Sequence, residues 1–453
     1  MKEDLARIVG AAALDERPVR DLWPLAVMSE RAGHAPASVL VVRPAGREQI
    51  AAVLRWAGER GVAVTPMGGA SGVCGALGPV AGEVVLDMGA FDRILQVDEL
   101  DLTCRCEAGV NGLALEEHLN KMGLTLGHFP SSLPGTTVGG LLATRSSGQE
   151  SSRYGSVEDM TLGLGVVLPD GGFADPRPGP RSAAGPALHQ LWLGAEGALG
   201  VIVEAVLRVH RLPELVVGRG YGFSDLGSGL KAMREIMQSG MRPLVMRLYD
   251  ADDTAFNGYD LASGGCLLVV ASAGPAAVTE AESKTVQRIA AGAQQLGEAP
   301  WERWRKHRFD LSADRLRTFL EPAGSYLDTI ELAAPWSALA ELHARVKPAI
   351  AMGGLALCHF SHAYEQGCCA YFSFGGSAPT EDEARAAYLA AWEGAMSAAL
   401  ELGATISHHH GIGSVRARWV ADEMGGWTAV WRTIKDGLDP KGIMNPRAVG
   451  GTP

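Results

Sequence analysis

A chain of 453 residues is too long for one ordinary core, so two or more packed units are expected. With 47% hydrophobic and 20% charged residues it has the balance of a well-buried enzyme, not of a disordered chain. The net charge of -11, with no run of clustered Lys and Arg, argues against a nucleic-acid partner, though a few arginines can still bind a small anionic substrate.

Seven cysteines (Cys74, Cys104, Cys106, Cys266, Cys358, Cys368, Cys369) include no CxxC pair and sit mostly among apolar residues. They read as reduced core thiols of a cytoplasmic protein. Residues 1–10 are charged throughout, unlike a signal peptide. The apolar run 266–273 is far shorter than the ~20 residues of a membrane span. Peripheral membrane contact and a homodimer stay open.

Residues 1–35 read as short helices and a charged lead-in. From residue 38 an apolar run (39–42), a helix over 46–60 burying Ile50, Val53, Leu54 and Ala57, and a second run (62–65) form a strand–helix–strand unit. Strands follow at 84–87 and 103–106, a helix at 112–123, a glycine-rich stretch at 127–148, and strands at 162–168 and 199–209. Near Arg211-Leu212-Pro213 the glycine turns thin out, which places a boundary there. The second unit, 213–425, carries helices near 226–239, 278–296, 335–351 and 380–402 with β segments between. A last helix begins at Trp427.

Three segments carry chemistry. Directly after a strand comes Pro66-Met67-Gly68-Gly69-Ala70-Ser71-Gly72, whose glycines let backbone N–H groups turn toward an anion such as a pyrophosphate. It matches neither GxxxxGK[ST] nor GxGxxG, and an ordinary glycine turn would read the same way. The second segment contains Ser131, Ser132, Thr136, Thr137, Gly139 and Gly140, then Thr144 and Ser147; its small hydroxyl residues can hydrogen-bond a flat heterocycle and a polyol at close range. In the third, Glu196, Gly197, Gly200, Val201 and Ile202 form a glycine turn feeding a buried strand. Near the C-terminus, Ser407-His408-His409-His410-Gly411 sets three histidines on a glycine-ended turn, fit for acid, base or phosphate-donor work near neutral pH. A metal cluster is the weaker reading, because neighbours in an extended chain point to opposite faces.

In this order and spacing, the PxGG(A/G)(S/T), TTVGG, YG…ED…GVVLPDG and GAEGALGVI segments resemble the FAD signature of the vanillyl-alcohol oxidase or PCMH family. The resemblance implies an α+β, two-domain PCMH-type FAD-binding fold. The FAD domain would span 36–212, an α/β cap with an antiparallel sheet flanked by helices would span 213–425, and residues 426–453 would pack back on the FAD domain. It places Gly68, Gly69, Ser71 and Gly72 on the pyrophosphate; Ser131, Thr137, Thr144 and Ser147 on the flavin and ribityl side; and Gly197 and Ile202 along the adenine wall. Covalent members carry a histidine in the first loop; its absence here implies non-covalent FAD.

The dehydrogenase branch, acting on D-lactate, glycolate and related 2-hydroxy acids, has Glu-His-Gly at the C-terminal turn and a GDGNxH-type metal segment upstream. The turn here reads His-His-His-Gly, and the upstream segment runs Cys358-His359-Phe360-Ser361-His362. Both departures resemble the alkyldihydroxyacetonephosphate synthase branch. That likeness implies catalytic roles for Tyr371, Arg247 and Arg317 beside His408, His409 and His410, the arginines neutralising a phosphate. It implies a phosphorylated lipid precursor as substrate and an exchange of acyl chain for fatty alcohol through a flavin N5 adduct. An FAD-dependent oxidase or dehydrogenase of a small hydroxy acid would share every FAD segment. His359 and His362 stand as metal ligands or as satisfied structural histidines.

Overall fold

The strand–helix–strand pattern near residue 38 folds because its apolar runs are buried on both faces, as parallel strands require. In the computed structural model, which describes residues 1–259, 261, 265–310 and 318–451, four strands form the first sheet: β1 (Leu14–Pro18), β2 (Ser38–Val42), β3 (Val64–Met67) and β4 (Val84–Asp87). Their order is β1-β2-β4-β3; β2 and β3 run parallel to β4, and β1 lines the edge antiparallel. The helix Arg47–Arg60 crosses between β2 and β3, buries Ile50, Val53, Leu54 and Ala57, and stops at left-handed Gly61. The lead-in therefore contributes a strand, β1, where only short helices were expected.

An antiparallel sheet follows. It is built from β5 (Ile94–Asp98), β6 (Thr103–Glu107), β8 (Thr161–Val167), β9 (Phe173–Ala174) and β10 (Val201–Arg208), while short β7 (Leu124–Thr125) pairs with β11 (His210–Arg211). The end of the chain returns to this half. Val64 donates its N–H to the Ile443 carbonyl at 2.7 Å, and Asn445 donates to the Val64 carbonyl at 3.0 Å.

The C-terminal half is one seven-stranded antiparallel sheet, order β15-β12-β14-β13-β17-β18-β16. Its strands are β12 (Leu215–Phe223), β13 (Val245–Tyr249), β14 (Cys266–Gly274), β15 (Gln294–Gly297), β16 (Ser325–Pro335), β17 (Leu355–Ser361) and β18 (Gly367–Ser377). Two expected helices are shorter than their patterns: Ala276–Ile289 gives way to edge strand β15, and Leu339–Ala351 begins only after β16 has run to Pro335. The helix Ala299–His307 was not anticipated; Trp301 and Trp304 seat it on the sheet.

Alternation along the strands sorts the two faces of this sheet. Phe360, Phe372 and Phe374 are fully buried with Val346, Ile350, Tyr388 and Trp392 of the covering helices. The intervening residues form the opposite face, which the helix Ala299–His307 covers over β13 and β14. All seven cysteines are buried and unpaired. Among the described residues, no helix is long and apolar enough to cross a membrane. Truncating Phe372 to Ala should open a cavity and cost ~3–5 kcal/mol. Urea unfolding followed by tryptophan fluorescence would check this, and an unchanged midpoint would contradict the packing.

Candidate active site

Side-chain register on the sheet builds the site. Tyr249 of β13 stands opposite His359 of β17, His359 opposite Tyr371 of β18, and Tyr371 opposite Glu331 of β16. Directly opposed residues share a face, so these four form a row across it, and Arg247, two residues before Tyr249, joins them. The His359 and Tyr371 rings stack with centroids 4.7 Å apart. One Arg247 Nη lies 3.2 Å from His359 Nδ1, and the guanidinium sits 5.3 Å from the Tyr249 ring centre. Among the described residues, no carboxylate lies within ion-pair distance of Arg247, and its Nε is buried without a partner.

Glu331 organises the histidine turn. Its Oε1 accepts backbone N–H bonds from His408 (3.2 Å), His409 (3.3 Å) and His410 (2.9 Å), and the Ser407 hydroxyl lies 2.9 Å away. Its Oε2 bonds Arg416, and His410 Nδ1 stands 3.1 Å from the same oxygen. Burial would raise the Glu331 carboxyl, but the Arg416 guanidinium and the histidines override it and hold it well below the ordinary range. Neither Glu331 nor Arg416 was expected from the sequence; a lone Glu in an alternating strand carries no signal, though an Arg five residues beyond the glycine of the turn is a faint one.

The chain bends around Glu331, so the extended geometry assumed for the triplet does not hold. His408 and His409 meet at Nδ1 (2.8 Å), and His408 Nε2 lies 2.8 Å from the Tyr364 hydroxyl. Tyr371 has its ring centre 5.9 Å from that of His409 and 5.6 Å from that of His410, edge-on to the latter. His362, at φ +48°, lies 2.7 Å through Nδ1 from Ser151 Oγ. Cys369, His408 and His409 bring ligand atoms within 4.8 Å of one another. Burial pushes the Cys369 thiol up, so it stays protonated, and the two imidazoles already partner each other and Tyr364. Arg317 lies outside the described residues.

The glycine-rich segments converge beside this turn. A Cβ at Gly68 would collide with the Thr137 hydroxyl, one at Gly69 with the Gly135 carbonyl, and one at Gly197 would press on Pro66. The three segments touch because these residues lack side chains. Among the described residues, the N–H groups of Gly69, Ala70, Ser71 and Gly72 find no protein acceptor. Ala70 is held left-handed at φ +51°. A loop of free donors closed on one side by the second segment fits a pyrophosphate.

The other expected contacts divide by environment. Ser131 and Ser132 are exposed, with Ser131 Oγ accepting from Gln149. The Thr136 and Thr144 hydroxyls donate to the local carbonyls of Leu133 and Gly140, Ser147 bonds Ser156, and Thr137 Oγ1 caps the Gly140 N–H. Gly139 packs on Ala108. Met67, Val201 and Ile202 lie in apolar cores, and Gly200 lies against the Val167 carbonyl. The Glu196 side chain turns to Ile412 and Gly413.

A fold with this cradle defines a flavoprotein of the PCMH type. Residues 38–175 match the family model described as FAD binding domain, and residues 212–449 match that of FAD linked oxidases, C-terminal domain. The chain belongs to the FAD-linked oxidase family and is an FAD-dependent enzyme. It is 32% identical over 446 residues to the alkyldihydroxyacetonephosphate synthase of Dictyostelium discoideum, covering 90% of this chain and 72% of that protein. It is also 32% identical over 432 residues to the uncharacterized FAD-linked oxidoreductase YgcU of Escherichia coli K12, covering 90% and 88%. A solved alkyldihydroxyacetonephosphate synthase superposes with a TM-score of 0.82 at 26% identity, over 98% of this chain and 84% of that one.

Burial keeps the imidazoles neutral: His359 and His408 fall to about 4, and His362 and His409 fall well below their ordinary value. Their folded pKa lies below the unfolded one, so the unfolded chain binds more protons below pH 6.5, and stability falls between about pH 6.5 and 4. Glu196, raised by burial to about 7, works in the opposite sense. The fall in Tm from pH 7 to 5 should be shallower in His359→Gln than in the unaltered enzyme, as read by calorimetry; an identical slope would mean that His359 is not held neutral.

Proposed function

We propose that this enzyme is an alkyldihydroxyacetonephosphate synthase-like transferase, exchanging the acyl chain of acyl-dihydroxyacetone phosphate for a fatty alcohol. The observation that carries this reading is Arg247, a half-buried cation that among the described residues has no carboxylate within ion-pair distance, set within the same row as Tyr371. A phosphate monoester supplies the missing charge, and a guanidinium binds it bidentately. A buried cation left unneutralised would be costly.

With the phosphate on Arg247, the substrate carbon chain extends toward Tyr371 and the histidine turn. Burial raises the Tyr371 phenol above its ordinary value, so it is a proton donor and not a resting phenolate. In this reading His410, whose ring is T-shaped to that of Tyr371 with centroids 5.6 Å apart, accepts its proton. Bound FAD would supply an electrophilic centre for the substrate carbon, and the exchange leaves no net redox change. The carbon–oxygen bond to the acyl group breaks, one to the alcohol forms, and the alcohol proton leaves with the fatty acid. In this reading the free N–H groups of residues 69–72 hold the pyrophosphate, and the loop, lacking histidine, holds FAD non-covalently.

A second reading, an FAD-linked oxidoreductase of a small 2-hydroxy acid, is supported by the likeness to the FAD-linked oxidoreductase YgcU. The two separate in one anaerobic experiment. The transferase should form alkyl product and fatty acid from acyl-dihydroxyacetone phosphate and hexadecanol, with its flavin staying yellow when D-lactate or glycolate is added. Bleaching by the hydroxy acid without exchange would overturn the reading. Tyr371→Phe should lower turnover by ~10²-fold or more with an unchanged flavin spectrum; loss of flavin would make the tyrosine structural. Gly69→Ala should cut FAD content, because its methyl group meets the Gly135 carbonyl; full occupancy would count against the cradle.

A further inference from the structure

Glu196 belongs to a glycine turn of the FAD-binding half, yet its side chain serves a segment more than two hundred residues away. It is buried and held left-handed at φ +48°, between Gly194 and Gly197, which are left-handed as well. The backbone is pinned on both sides. Its N–H donates to the Ala143 carbonyl at 2.9 Å, and its carbonyl accepts from Asn445 Nδ2 at 2.6 Å. A non-glycine residue in this conformation persists only where its surroundings over-determine it. The conformation aims the carboxylate out of the turn. Oε1 accepts from the Ile412 N–H at 2.9 Å and the Gly413 N–H at 3.0 Å, and Oε2 lies 3.1 Å from the latter nitrogen. Among the described residues, no Lys, Arg or His is within ion-pair distance of it. Gly411, at φ +86°, packs so closely that a Cβ there would run into Oε1.

Seen from the turn, two carboxylates divide the backbone donors. Glu331 of the cap sheet takes the N–H groups of His408, His409 and His410, and Glu196 takes those of Ile412 and Gly413. We infer that Glu196 is a positioning residue and not a cofactor ligand: it registers the histidine turn against the FAD-binding half, while Glu331 registers the same turn against the cap sheet. The turn is thereby fixed to both halves at once. The catalytic meaning of this tether rests on the reading given under Proposed function; the tether itself does not.

Hydrogen exchange on the FAD-loaded enzyme tests it. In Glu196→Ala, the amides of residues 412–413 should exchange at least tenfold faster, those of 408–410 should keep their protection, and FAD content should stay full. Glu196→Gln retains a carbonyl acceptor and should restore protection. If the enzyme turns over acyl-dihydroxyacetone phosphate, the Ala variant should lose kcat at little change in KM, and the Gln variant should recover it. Should the Ala variant fail to fold, Gly411→Ala, which forces the turn off the carboxylate, should speed the same amides. Unchanged exchange in the variants, or loss of FAD with the turn still protected, would overturn the assignment. An enzyme inert toward that substrate would sink the transferase reading and leave the exchange result to decide the tether.

Discussion

Glu331 and Arg416 form an ion pair of which neither side chain is exposed to any degree. Taking either charge out of water alone is costly, and removing one partner of such a pair typically costs ~3–5 kcal/mol. The pair holds only because its remaining hydrogen-bonding capacity is filled. Glu331 accepts the N–H groups of the histidine turn, and Arg416 donates to the Ile406 and Gly411 carbonyls and to the Cys74 sulfur. One strand of the cap, the turn, the helix after it and a loop of the FAD-binding half must therefore arrive together. The position of the histidines is a by-product of satisfying this one charge pair.

The same economy of position governs the sheet. Strand register alone sets Tyr249, His359, Tyr371 and Glu331 in line, with no loop to adjust them. A one-residue slip of β18 would send Tyr371 into the helix-covered core and bring Phe372 to the site. The two buried phenylalanines of β18, Phe372 and Phe374, guard against that slip, since they would have to come out into the site. Core packing and active-site geometry are here two faces of one constraint.

Much of this was legible in the sequence. Apolar periodicity located β2, the helix Arg47–Arg60 and the helix Glu381–Glu401, and the glycine segments pointed to a dinucleotide. The histidines, singled out by their own pattern, and Tyr371 and Arg247, singled out by family likeness, do come together. Less legible were the features that depend on long-range contact. β15 hid inside a helical pattern because its four residues carry too short a period to register, and β1 because its charged sequence suits an edge strand as well as a lead-in. Glu331 gave no local cue and Arg416 only a faint one, since a buried pair is recognised only when its partner, 85 residues away, is placed. The metal reading of the triplet was weighed on extended geometry because nothing within it announces the carboxylate that curls it.

The return of residues 443–445 to β3 bears on how the protein is made. The bridge between Val64 and Met444 joins a strand near the start of the chain to residues near its end. On a ribosome, the N-terminal half would have all its own strands long before these last residues emerge. Until then β3 keeps an open edge beside the glycine loop, so this sheet is completed only after residues 443–445 have emerged.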